Sequence, residues 1–561
     1  MFLRSVRARG RKGEKHEYLR LVESYREDGV NKQRVVLSLG RKDLLSPHLD
    51  SLVRFLQGEG ERSRWVKSDQ VVPSQSASYG AVMVARHLWQ ALGLEGILED
   101  CQGRSGTSLA DRAFVLVANR LCCPGSEHHL ASWLETDYVP DRQGERWQPC
   151  WEEHGRVQVN LSWLQRWYRT LDELLENKER IEEALFYRLR DLFALEAELV
   201  FYDLTSTYFE GEGPEGLARF GYSRDGKARE RQVEVGVVMV NGWPIAHHVF
   251  PGNWSDFRTV EGVIEDLEKR FGLRRVIFVG DRGMVTSGNL ALLQERRQGY
   301  LVGLKRRRRE GIYELIGKAT GVWQECPGEG KTLVQEVAGD APGVRVFVVQ
   351  SEERLAYERG LREEAMERTR VGLGRLKKRI DEGKLKAPEK IGAAVSRILS
   401  KHHGERYYGW ELENGRFRYF EHPNVEREKA YEGKYLIQTE EEGMTAVEAV
   451  AAYKGLSEVE RAFRCLKDVI QMRPVYHRTD ERVRGHIFVA ALAFLLKTAL
   501  DKKLKAQGSK LSGEAALEAL RTISVVEIEM GAEHKKRGVT AGSHRAREVL
   551  KALGIASVGL P

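Results

Sequence analysis
Gln232-Val-Glu-Val-Gly-Val-Val-Met-Val-Asn241-Gly242-Trp-Pro-Ile-Ala-His-His-Val-Phe250 is two apolar runs joined by Asn-Gly. Asn-Gly between such runs is the strongest short hairpin signal, because both residues tolerate the positive φ that a tight two-residue turn needs. Residues 232–240 and 244–250 are therefore two antiparallel strands. Upstream, 198–204 is a third strand-like run, containing Leu199-Val200-Phe201-Tyr202-Asp203. Downstream, the period changes to that of helices at 258–271 and 286–297, each followed by a short apolar run, at 275–280 and 300–304. Strands that follow helices return parallel to their predecessors.

Three antiparallel strands, helix, strand, helix, strand is the order of a ribonuclease-H-like fold. The expected architecture is an α/β core with a mixed five-stranded sheet, interrupted by an α+β insertion and preceded by a mainly helical N-terminal domain. Residues 1–60 read as a basic arm and a β-hairpin (runs at 18–25 and 34–39) expected to bind DNA. Residues 75–195 read as helical, either a DNA-binding or dimerisation domain or a plain scaffold. The core occupies 196–304 and resumes at 433–506, with a strand at 434–439, a helix at 445–468 and another from His486 to Lys505. Between them, 305–432 is an insertion with a long helix (apolar positions Tyr357 to Ile380), a second helix at 389–402 and an aromatic hairpin across Asn414-Gly415. Residues 507–561 form a polar tail.

Three acidic residues stand out. Asp203 ends the apolar run from Leu199, Asp281 ends Val276-Ile-Phe-Val-Gly-Asp281, and Glu460 lies in the helical Tyr453-to-Lys467 stretch. Ligand sites of α/β proteins gather at strand C-termini, and carboxylates brought together there repel one another unless a divalent cation joins them. Such metal pairs carry out in-line displacement at phosphorus. A lone Asp at a strand end is also a common turn or cap residue. Tyr453, Glu460 and Lys467 are seven residues apart and would share one face of a continuous helix, whereas Glu458 is turned by roughly 200° from Glu460. A solvated helix face has the same spacing.

With 90 Lys and Arg against 82 Asp and Glu, the formal charge of the 561-residue chain is +8, a mild excess. Clusters matter more: Arg4 to Lys15, Lys305 to Arg309, Arg375 to Arg379 and Lys535 to Arg537 favour a polyanionic partner. The six cysteines show no Cys-x-x-Cys, and adjacent Cys122 and Cys123 cannot readily share one tetrahedral zinc site. No apolar segment follows the basic N-terminus, and the longest apolar run, Ile487 to Leu496, is short for a membrane span. A soluble, cytoplasmic protein without a membrane partner is expected.

The ordered motifs resemble those of DDE transposases of bacterial insertion sequences, a superfamily marked by Tyr-x2-Arg-x3-Glu-x6-Lys. Here that signature reads Tyr453, Leu456, Glu460, Lys467, with Leu in place of Arg. Tyr202-Asp203-Leu-Thr-Ser-Thr-Tyr-Phe-Glu-Gly, Phe220-Gly-Tyr-Ser-Arg-Asp-Gly-Lys227, Pro251-Gly-Asn-Trp254-Ser-Asp256, Gly280-Asp281-Arg-Gly-Met284, Arg473-Pro-Val-Tyr-His-Arg478 and Arg484-Gly-His-Ile487 follow the family's order. The resemblance spans about residues 15 to 505. It implies Asp203, Asp281 and Glu460 as catalytic residues and as ligands of two Mg²⁺ ions, with Mn²⁺ as a substitute. It implies strand cleavage at transposon ends and strand transfer into target DNA. The implied partners are double-stranded DNA (terminal inverted repeats and target) and a second copy of the chain in a homodimeric synaptic complex. Tyr453 and Lys467 would contact phosphates, Trp254 would stack on an unpaired base or simply pack at a strand end, and Lys305, Arg306 and Arg307 would hold the DNA backbone or brace a dimer. A metal-dependent nuclease without strand joining and a catalytically idle DNA-binding regulator are the alternatives.

Overall fold
The computed structural model describes residues 2–9, 14–27, 29–54, 71–102, 107–148, 161–193, 198–254, 256–273, 275–280, 286–304, 311–328, 330–530 and 534–560. Asp281 and the cationic run 305–309 lie outside the described residues. The chain divides into two compact units, one of residues 1–76 with 526–538, the other of 77–525 with 539–561.

The first unit opens with three antiparallel strands, β1 (Phe2–Arg9), β2 (Lys15–Glu27) and β3 (Val30–Arg41). Where the sequence suggests a basic arm before a two-stranded hairpin, the first segment is itself a strand. Its cations find carboxylates across the ladder: Arg7 sits opposite Glu17 in the register and pairs with it at 2.9 Å. Opposite charges facing one another are a standard source of ladder stability. A further strand, β4 (Val71–Ser78), follows.

The second unit is built on one mixed sheet. Its strands are β5 (Leu199–Tyr208), β6 (Gln232–Val240), β7 (Trp243–Pro251), β8 (Ile277–Gly280), β9 (Gly299–Gly303), β10 (Gln324–Cys326), β11 (Thr332–Ala338), β12 (Arg345–Ser351) and, after the insertion, β15 (Lys434–Thr439). Their order is β10-β11-β12-β15-β9-β8-β5-β6-β7. The expected five strands are neighbours, with β8 parallel to both β5 and β9 and the rest antiparallel. Among the described residues the sheet nevertheless has nine strands, not five. The insertion does not leave it: β12 pairs with β15, and β15 with β9, both antiparallel. Val346-Phe-Val-Val349 is fully buried, and such a strand is stable only between partners. The remaining hairpin, β13 (Tyr408–Glu413) with β14 (Arg416–Glu421), turns through Asn414 and Gly415 at positive φ and packs beside the helices Glu352–Asp381 and Pro388–His402.

The Asn241-Gly242 turn has φ of 48° and 71°, as the hairpin reading requires. All nine residues of β6 are buried, which fits the apolar run 235–240, while the buried Glu234 is paired with Arg224 at 2.6 Å. Alternation along β5 separates two cores. Val200, Tyr202 and Leu204 face a cluster under the helix Asp256–Phe271, while Phe201 faces a larger one with Val233, Val235, Val237, Val279 and Leu301. That larger core also takes in the helices Gly80–Ala91, Leu109–Cys122, Leu161–Glu176 and Asp480–Ala506. The last of these is long and apolar enough to cross a membrane by length and composition, but 89% of its apolar window is buried inside the fold. Finally β16 (Ser524–Met530) lies between β4 and β17 (His534–Val539) in a three-stranded sheet.

Candidate active site
Asp203 is not at a strand end. The ladder with β6 runs on to the Tyr208↔Gln232 pair, so Asp203 sits mid-strand, opposite Val237. The Thr205-Ser206-Thr207 that follows it belongs to the strand, where β-branched residues fit the pleat. What ends near Asp203 is its neighbour. Phe201 pairs with Val279, and β8 stops one residue later at Gly280. Asp203 lies two residues beyond Phe201, just as Asp281 lies two beyond Val279 in sequence. Asp203 is half-buried between the buried Tyr202 and Leu204. Its Oδ1 accepts a hydrogen bond from the Leu204 N–H at 2.8 Å.

Side chains two apart on a strand share a face, so Asp203 stands on the Phe201 side of the sheet. The segment bearing Glu460 packs on that same side. It is not one helix from 445 to 468, as its spacing suggests, but three pieces: Ala446–Lys454, Leu456–Arg464 and a π-helical turn, Cys465–Val469. The first break is at Gly455, where a Cβ would lie 2.7 Å from the Phe201 ring. Glycine lets the backbone rest on that ring. The Leu456–Arg464 helix then buries Val459, Ala462 and Phe463 and leaves Glu460 exposed. Glu458 points elsewhere, toward the Gly242 turn and the Lys502 ammonium group.

The breaks send the three signature residues to different neighbours. Tyr453 stacks on Tyr435 at 5.8 Å, and its hydroxyl abuts Gly303 at the end of β9. Lys467 donates to Asp225 Oδ1 at 2.7 Å, and Arg473 reaches the same oxygen, also at 2.7 Å. Burial lowers the Lys467 ammonium pKa while Asp225 raises it. Asp225 is a residue that sequence reasoning missed. It lies in the quoted Phe220–Lys227 motif, but its partners are over two hundred positions away. The span from Gly455 to Lys467 is thus tied to Phe201 at one end and to the 220–227 loop at the other, with Glu460 between. That loop is bonded in turn to β5, the Arg224 N–H donating to Ser206 Oγ at 3.1 Å.

Trp254 is 38% exposed and stacks on Phe250 at 5.5 Å, beside a pocket lined by His248, Arg270 and Arg484. A separate buried group, Glu127, His477 and His486, places ligand-type atoms within 4.8 Å of one another. Arg120 donates to His486 Nδ1 there at 3.2 Å, and although burial would raise it, His477 and His486 hold the Glu127 carboxylate well below its usual range.

With this geometry in view, the comparisons with known proteins are specific. Residues 196–496 match the transposase DDE domain, and residues 3–67 match the N-terminal domain of IS1634 family transposases. The first match covers more than half of the 561 residues. The chain belongs to the DDE transposases, the enzymes of insertion sequences. No curated protein matches it.

Proposed function
We propose that this chain cuts DNA strands at the ends of its element and joins them to target DNA, with Asp203, Asp281 and Glu460 as the catalytic carboxylates of a ribonuclease-H-like core. The observation that carries the reading is that the Glu460 segment rests on Phe201, on the face of the sheet that bears Asp203, beside the strand that ends one residue before Asp281. These donors are hard carboxylate oxygens, the set that Mg²⁺ prefers while keeping several waters. Asp203, Asp281 and Glu460 would hold such ions, which would supply activation of a water or a DNA 3′-hydroxyl and charge stabilisation at the leaving 3′-oxygen.

The chain's own residues orient that chemistry. The Leu204 N–H fixes one Asp203 oxygen. Gly455 sets the approach of the Glu460 helix, and Lys467 with Arg473 clamps the loop beside it through Asp225. Tyr453 at the end of β9 and Trp254 on its Phe250 stack face the DNA ends, and the 305–309 cations add backbone contacts. Acting as a dimer in the cytoplasm, two copies would hold paired ends.

The test is direct. The purified chain, a duplex carrying the element's terminal inverted repeats and a plasmid target are incubated with Mg²⁺. Cut ends and covalently joined products are expected. Cut ends that never join would replace transposition with simple nuclease action.

A further inference from the structure
The loop from Arg219 to Arg231 carries two of the most exposed aromatic side chains among the described residues, Phe220 (61%) and Tyr222 (83%). Large apolar rings left in water on a mobile segment would mean little, but this backbone is held along its length. Arg219 pairs with Gln232 in both directions, at 2.8 and 3.1 Å. The buried Gln232 amide donates to the Tyr222 carbonyl at 3.0 Å and to the Gly252 carbonyl at 3.1 Å. Gly221 lies flush on Gly252, with no room for a Cβ. Asp225 is clamped by Lys467 and Arg473. The rings therefore project from a fixed base that costs little further ordering when something binds.

Charge says what binds. The thirteen residues 219–231 carry five cations and two acids. Asp225 is consumed by its ion pairs, while Arg219, Lys227 and Arg229 are exposed. Rigid, exposed rings interleaved with exposed cations suit a strand with π-faces and phosphates, the combination that binds single-stranded nucleic acid. A protein partner would favour a larger apolar centre with fewer charges.

Resting on the transposase reading, we propose that this loop is a platform for unpaired DNA at the end being cut, with bases stacked on Phe220 and Tyr222 and phosphates met by Arg219, Lys227 and Arg229. Its link to the Ser206 hydroxyl of β5 sets it on the strand that carries Asp203.

The experiment measures binding of the full chain, without divalent metal, to a labelled oligonucleotide with a single-stranded overhang and to the same sequence as a blunt duplex. Stacking contributes about 1–3 kcal/mol per base, so F220A/Y222A is expected to weaken overhang binding by roughly tenfold or more while blunt-duplex affinity and Tm stay unchanged. F220W/Y222W should restore it. Equal loss for both DNAs, or none for either, overturns the platform, as does a change of oligomeric state at normal DNA affinity. Asp203→Asn separates the two ideas: it should bind overhangs normally yet not cut. A wild type that binds overhangs through these rings but never cuts would sink the catalytic reading and leave the platform standing.

Discussion

The Lys467 ammonium group and the Asp225 carboxylate form a buried ion pair, 2.7 Å between Nζ and Oδ1, with both side chains about nine-tenths covered. Lys467 ends the family signature, where the sequence suggests a phosphate contact. In this fold it fastens the 219–231 loop to the end of the Glu460 segment.

Asp225→Ala would leave Lys467 and Arg473 close together without their shared anion. Removing one partner of a buried pair typically costs about 3–5 kcal/mol, and the partial exposure of Arg473 argues for the lower end. Urea unfolding should show a loss of about 3 kcal/mol. Lys467→Ala should also lower stability while leaving the salt dependence of DNA binding unchanged; a shallower slope would return Lys467 to a phosphate role.

Asp203→Asn, Asp281→Asn and Glu460→Gln should each reduce end cleavage by more than ~10³-fold, since each carboxylate contributes several kcal/mol of charge stabilisation. Binding to the terminal repeats should persist. Glu458→Gln should be mild, because Glu458 faces the Gly242 turn. Quantified cleavage gels decide between the two glutamates, and a dead Glu458 variant would reverse their assignment.

Gly455→Ala would drive a methyl group into the Phe201 ring. Overpacking of this kind costs about 1–3 kcal/mol, and here it should also lift the Glu460 helix and slow cleavage. Phe201→Leu in the same chain should restore part of both. Independent, additive effects of the two substitutions would show that the contact does not set the helix.

His248 is half-buried, and desolvation of its imidazole together with Lys178 pushes its pKa down to about 4, against the pull of Asp266 at 3.3 Å. The unfolded chain then binds a proton near pH 6.5 that the folded chain refuses until about 4. This contribution to stability is complete above about 6.5 and is lost as pH falls toward 4. Thermal unfolding followed from pH 7 to 4 should show Tm declining through that window, with a smaller decline in His248→Asn.

Much of the core was legible because it is written locally. Asn241-Gly242 marks its hairpin, and the change of period from two to 3.6 marks each crossover. The face borne by Asp203 follows from alternation with Phe201. The rest depends on contacts distant in sequence. Thr205-Ser206-Thr207 falls beyond the 198–204 run, and only the pairing of β6 along it shows that the strand continues. The 445–468 stretch reads as one helix because nothing local reports the Phe201 ring beneath Gly455. Asp225 reads as a loop polar residue because its partners come from a segment more than two hundred residues later. The insertion reads as a separate body because apolar strands do not announce their neighbours.

That insertion has a consequence for how the enzyme comes into being. β9 finds its second neighbour only in β15, roughly 130 residues further along, and β15 is in turn flanked by the insertion's own β12. A chain emerging at about 5–20 residues per second therefore spends on the order of ten seconds with one flank of its central sheet unpaired. Glu460 emerges later still. The three proposed carboxylates cannot come together before Glu460 has been made, so fragments that stop short of it would carry at most Asp203 and Asp281 and no complete proposed site.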